Sequence, residues 1–258
     1  DLHSFPTRRS SDLHIEPLGE ALKDGVPARI YPPGTVPAYS NYGASLGGYI
    51  AARAAGMQFE QYVEERIFKP LRMEHSTFRQ PVPESLREHL SNSYVTASSE
   101  TSVPFEFGSD APAGALSAPA PDMAQFMLAH LNGGVLPGGD ESNRILKPET
   151  TELMHSVANR PGPGVDAMAH GFYEQQRNGV RAIAHGGDLT AFHSELVLIP
   201  SAKVGLFVSF NSSGKDNSVY KLRTALYEAF MDRYFPRQAK PNDSPYMEIG
   251  RASCRERV

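Results

Sequence analysis

Tyr39-Ser40-Asn41 and His185-Gly186-Gly187-Asp188 are the stretches in which residue type and spacing could do chemistry. Tyr39 ends a Pro/Gly-rich run, Pro32-Pro33-Gly34-Thr35-Val36-Pro37-Ala38, that cannot be regular structure, because Pro fixes φ and removes a donor. Ser40 or Asn41 can cap a helix that starts at once, with Leu46 and Ile50 on one face and Gly56 as its stop. A phenol at the positive end of that helix is expected to favour its anion, and so to serve as a proton acceptor. In the second stretch, consecutive glycines let a ligand approach the backbone, and the N–H that follows them can stabilise an oxyanion. His185 can donate a hydrogen bond or transfer a proton. Taken singly, both stretches also fit ordinary structure: a buried aromatic beside a cap, and a Gly-rich corner with an exposed His. A metal reading of His185, Asp188 and His193 matches no compact ligand motif.

Both ends of the chain stand apart from the rest. Asp1–Leu13 and Glu248–Val258 resemble translations of the two strands of one sequencing-library adapter, a complementarity that a pair of basic tails does not explain. Setting them aside leaves 234 residues, His14 to Met247, expected to be cut at both ends rather than to begin and end naturally. That length suits one large domain or two interleaved ones. The remaining 20 Lys+Arg and 25 Asp+Glu give a formal charge of −5, which argues against a nucleic-acid partner. The only cysteine, Cys254, falls in the terminal segment, so neither a disulfide framework nor a thiolate zinc site is open to the remainder. No apolar run approaches the roughly 20 residues of a membrane-spanning helix.

The elements that must position the two stretches follow from the periodicity. Residues 14–163 read as mainly helical. Phe59, Tyr62, Val63 and Ile67 share a helical face that Pro70 should end, and Asp122 can cap a helix carrying Met123, Phe126, Met127 and Leu131. Pro148 suits a first turn, with Leu153 and Met154 inward. Residues 164–247 read as antiparallel strands and a closing helix. Asn178-Gly179 joins one hairpin, Glu195–Ile199 and Val204–Phe210 form another, and Val219, Leu222, Leu226 and Phe230 mark the helix. The fold class expected is α+β, an antiparallel sheet flanked by helices with a helical subdomain.

Taken together, the motifs resemble the serine β-lactamase-related hydrolases, which include class C β-lactamases, D-alanyl-D-alanine carboxypeptidases and esterase-like relatives. The resemblance rests on Tyr39-Ser40-Asn41, Ile67-Phe68-Lys69-Pro70-Leu71-Arg72-Met73, Pro112-Ala113-Gly114-Ala115-Leu116-Ser117, Asp122-Met123-Ala124-Gln125-Phe126-Met127 and His185-Gly186-Gly187, in that order. It implies acyl transfer through a serine nucleophile without a cofactor, on a small-molecule or peptide substrate, in a periplasmic or secreted protein. By the same resemblance Tyr39 serves as general base and acid, Asn41 binds the substrate amide, and His185-Gly186-Gly187 stands where many members carry Lys-Thr-Gly. Asp188 N–H supplies an oxyanion donor. His in place of Lys removes a permanent positive charge and leans the site towards ester-like substrates. The family's Ser-x-x-Lys nucleophile should precede Tyr39, yet the 25 residues from His14 to Ala38 hold no serine. Ser212-Ser213-Gly214-Lys215 and Ser218-Val219-Tyr220-Lys221 follow the strands instead, and read as a turn and a helix start. The chain is therefore expected to be an inactive fragment of a serine hydrolase, with its early strands missing. The alternatives are a non-catalytic peptidoglycan-peptide-binding module and, further off, a metal-dependent hydrolase.

Overall fold

The computed structural model describes residues 15–108 and 110–237; the two adapter-like ends lie outside the described residues. The helical part runs α1 (Leu18–Asp24), α2 (Asn41–Ala55), α3 (Phe59–Val63), α4 (Lys69–Leu71), α5 (Glu84–Arg87), α6 (Ala111–Gly114), α7 (Ala120–Leu131) and α8 (Pro148–His155). Strands β1 (Tyr173–Arg177), β2 (Val180–Asp188), β3 (His193–Ile199) and β4 (Val204–Phe210) follow, then α9 (Val219–Tyr234). The four strands form one antiparallel sheet in sequence order. Asn178 and Gly179 both take positive φ, which gives the β1–β2 turn the hand that matches strand twist.

Strand alternation sends alternate residues to opposite faces, and each face is covered by a helix. Ile183, Leu196 and Leu198 pack with Phe172 against Met127 of α7. Ala182, Ala184, Val197 and Ile199 pack against Met231 of α9. Gly205 lets α7 come close, because a Cβ there would stand 2.9 Å from the Met127 sulfur. A third cluster, Val63, Phe68, Leu71, Met73, Ala129 and Leu136, joins α3 and α4 to α7 and forms the core of the helical part. Burial of these side chains supplies the main driving force, of order 1.5–3 kcal/mol for each large one.

Several local expectations are corrected. The helix from Phe59 does not stop at Pro70; a π-helical turn at Glu64–Phe68 intervenes and the chain stays helical to Leu71, ending where Arg72 takes the left-handed conformation. Widening the turn alters the hydrogen-bond ladder just ahead of the residue that has no N–H to give. Asp122 is not a cap: α7 begins two residues earlier, and the buried carboxylate accepts instead from His75 N at 2.9 Å and Ser76 Oγ at 2.8 Å. Ile50, Leu153, Leu222 and Leu226 are exposed, so Ser45 and Ala52 of α2, Thr151 of α8, and Val219 and Met231 of α9 mark the buried faces. Leu226 lies over Leu206 and Val208 of β4, whose outer edge pairs with no other strand among the described residues.

Candidate active site

The Pro-rich run is pinned by a turn in which Thr35 Oγ1 donates to Pro32 O at 2.7 Å, with Gly34 in the left-handed region. Its last residue, Tyr39, precedes the cap of α2. Ser40 is extended, and its Oγ accepts from Gly43 N at 3.0 Å, so Ser40 rather than Asn41 caps the helix. Asn41 is exposed. Tyr39 is 62% exposed, so it is not the buried aromatic that its neighbourhood also allowed.

The structure brings Tyr39 and His185 together: their ring centroids are 5.9 Å apart at 49°. Tyr173, opposite Ala184 at the start of β1, flanks the imidazole on another side at 6.0 Å. His185 Nδ1 lies 2.8 Å from Gly186 O. A carbonyl only accepts, so Nδ1 is the nitrogen that donates there, and Nε2 is the ring nitrogen left to meet an incoming group.

Strand β2 outruns β1. Pairing with β1 ends at Ala184, whereas pairing with β3 continues to Asp188. Leu189 N–H donates to Phe192 O at 2.8 Å, so by alternation Gly186 and Asp188 point their backbone groups away from β3, towards the side that β1 leaves open. A Cβ on Gly187 would meet nothing within 4 Å, which marks open space beside the strand. The Asp188 side chain turns to the α9 face, where Oδ1 lies 3.0 Å from an Arg223 guanidinium nitrogen and 2.7 Å from His193 Nδ1. Asp188 and His193 thus engage each other while His185 faces Tyr39, and no group of three potential ligands could hold a metal among the described residues.

One electrostatic expectation is reversed. The Tyr39 hydroxyl has its pKa raised, by partial burial and by the negative charge of Asp110. Partial burial, and after it the Asp110 carboxylate, outweigh the helix end, so the neutral phenol is favoured. Tyr173 is pushed up to about 12 by burial and by Glu195. Asp110 and Tyr173 were not singled out by the sequence; an acidic residue ahead of Pro112 and an aromatic opening a hairpin carry no local signal of a site. A cavity of about 430 Å³, lined by residues including Phe68, Lys69, Arg72 and Ser85, shares none of these side chains.

A protein-family model described as Beta-lactamase matches residues 20–229, which span both stretches and all four strands. The chain belongs to that family. Relatives include Beta-lactamase-like protein 2 of Dictyostelium discoideum, 28% identical over 66% of this chain and 30% of that protein. Putative beta-lactamase-like 1 of Homo sapiens is 26% identical over 72% of this chain and 35% of its own length. Two solved structures share the fold. The octameric penicillin-binding protein homologue from Pyrococcus abyssi superposes with a TM-score of 0.62 at 23% identity, over 83% of this chain and 48% of that one. The beta-lactamase/D-alanine carboxypeptidase from Pseudomonas syringae gives 0.64 at 16% identity, over 81% and 64%. The chain therefore spans about a third of these curated relatives and about half to two thirds of these solved chains. The α+β architecture expected from the sequence, antiparallel strands flanked by helices, is the one observed.

Proposed function

We propose that this chain carries the acyl-transfer cleft of a serine hydrolase acting on an ester, amide or β-lactam, and that the nucleophile comes from sequence outside the described residues. The observation that carries this reading is the 5.9 Å approach of Tyr39 to His185 beside an unpaired strand edge. A reactive carbonyl lying along that edge would meet the Asp188 N–H as one oxyanion donor, while the Gly186 and Gly187 backbone lines the substrate. Tyr39, whose proton burial and Asp110 hold in place, is suited to donate a hydrogen bond to the leaving group. His185 Nε2 is suited to take the proton from a serine hydroxyl, and Asn41 to hydrogen-bond the acyl amide.

In this reading the two Ser-x-x-Lys strings, both after β4, are not the nucleophile. Ser212 Oγ accepts from Gly214 N at 3.2 Å in the turn after β4, and Ser218 directly precedes the first residue of α9. The test compares this chain with its reading frame extended upstream, using a p-nitrophenyl ester and a chromogenic cephalosporin. The extended protein should turn over, and the present chain should fall short by a factor on the order of 10⁶, as loss of a nucleophile does elsewhere. Turnover by the present chain that disappears on mutating one of its own serines overturns this. A second reading, a non-catalytic module that holds an extended peptide, draws on the same open edge of Gly186–Asp188. It is favoured if the upstream sequence lacks Ser-x-x-Lys and the extended protein binds peptide without cleaving it.

A further inference from the structure

The open end of β2 poses a mechanical problem. Among the described residues, the four from His185 to Asp188 have a strand on one side only, two of them are glycines, and a glycine pair is the most deformable backbone available. An edge of that kind cannot hold a donor in place unless something else fixes it. The Arg223 side chain, presented by α9, lies directly beneath: a Cβ on Gly186 would stand 3.7 Å from its guanidinium. Its nitrogens reach both sides of the β2–β3 ladder. They lie 3.0 and 3.4 Å from the two Asp188 carboxylate oxygens, 3.0 Å from Ser194 O and 3.3 Å from Glu195 Oε2. The guanidinium is also 5.5 Å from the Tyr220 ring centroid, one turn earlier on α9. Asp188 is gripped a second time by the buried His193, whose Nε2 is 3.0 Å from Ser213 Oγ.

We propose that Arg223 is the positioning residue of this cleft, fixing the unpaired end of β2 from the opposite face of the sheet so that the Gly186–Asp188 backbone presents a rigid edge. The proposal rests on the acyl-transfer reading above for its purpose, though not for its geometry. Arg223 touches no substrate position; it acts through Asp188 and the Ser194 carbonyl. By drawing the Asp188 carboxylate to the α9 face it also keeps a negative charge away from the place where an oxyanion would form, while the Asp188 N–H stays on the open side. A planar fork suits this task because one group must serve three acceptors at once.

The experiment uses the chain as it stands, labelled with ¹⁵N, in wild-type form and as R223K, R223Q and D188N. The first readout is amide exchange. R223Q should speed exchange at Gly187 and Leu189, whose N–H groups face β3, at least tenfold more than at Leu206 and Val208 of β4, and R223K should recover only part of the protection because an ammonium cannot span the acceptors. Equal acceleration across the whole sheet in R223Q would mean general destabilisation and overturns the proposal, as does unchanged exchange at Gly187 and Leu189. D188N keeps the shape but loses the ion pair, so it should reproduce the local loss with smaller global change. The second readout titrates monomethyl methylphosphonate, an anionic tetrahedral probe, against the Asp188 amide. Wild type should shift that resonance, and R223Q should bind at least tenfold more weakly. If wild type binds and R223Q binds equally well, Arg223 has no positioning role. If wild-type Asp188 shows no shift while exchange still localises to β2 in R223Q, the clamp stands and the oxyanion assignment fails.

Discussion

His130 offers the most quantitative test of the packing between α7, α8 and the sheet. It is buried, with Nδ1 3.2 Å from His155 Nε2, and the two rings are stacked at 5.4 Å with Phe126 and Phe172 against them. Burial, with His155 beside it, lowers its pKa from 6.5 to about 4. His155 is itself lowered by burial and by Arg181, whose guanidinium donates to the His155 carbonyl. The unfolded chain therefore binds a proton at His130 that the folded chain refuses across the interval between about 4 and 6.5. Stability is full above the upper value and falls as pH drops towards the lower one. At 1.36 kcal/mol per unit, the loss at this residue is about 2 kcal/mol by pH 5 and about 3 kcal/mol once pH is below both values. The perturbation is His130→Phe, which keeps an aromatic ring and removes the titration. Urea unfolding at pH 7.5 and pH 5 should show wild type losing about 2 kcal/mol more than the variant between the two. Equal losses in the two proteins would refute the argument.

Other consequences follow from single contacts. Glu174, 2% exposed, is held down to about 2 because hydrogen bonds from Arg181, Ala167 N and Arg160 outweigh the upward push of burial. Glu174→Gln, which leaves two guanidinium groups without their carboxylate, should cost about 3 kcal/mol or more in chemical denaturation. Wild type should also lose this residue's contribution as pH falls from the ordinary carboxylate range towards about 2, and the variant should not. Gly134 has φ of +89°, and a Cβ there would collide with the Leu146 carbonyl oxygen, so Gly134→Ala should lower stability by about 3 kcal/mol or more and shift the melting midpoint down several degrees. Asp122→Asn keeps the shape of the side chain that ties α7 to His75 and Ser76 but weakens both bonds, and should cost about 1–2 kcal/mol in the same assay.

The sheet and its order were readable because Asn178-Gly179 can make little other than a tight turn, and because the Glu195–Ile199 and Val204–Phe210 runs are too short for buried helices. Helix α2 was readable from Ser40 and Gly56, which are a cap and a left-handed stop for the reasons their chemistry gives. What failed was the assumption that every apolar residue at helical spacing faces inward. Ile50, Leu153, Leu222 and Leu226 do not, since which stripe is buried depends on what packs against it. Asp122 looked like a cap because local sequence cannot reveal that His75 and Ser76, more than forty positions earlier, need an acceptor there. The approach of Tyr39 to His185 came from family resemblance and not from periodicity. The charge beside Tyr39 could not be read at all, because Asp110 comes close to it only through the tertiary fold.

The central claim is that one cleft is shared by residues 39–41 and 185–188. It is tested most directly by titrating the labelled chain with a small uncleavable N-acyl amide and following its backbone and ring resonances. Shifts are expected at Tyr39, Asn41, His185, Gly187 and Asp188 together, at one common dissociation constant, with Tyr39 to His185 ring NOEs present before ligand is added. Shifts confined to one of the two stretches, or no NOE between those rings, would contradict it.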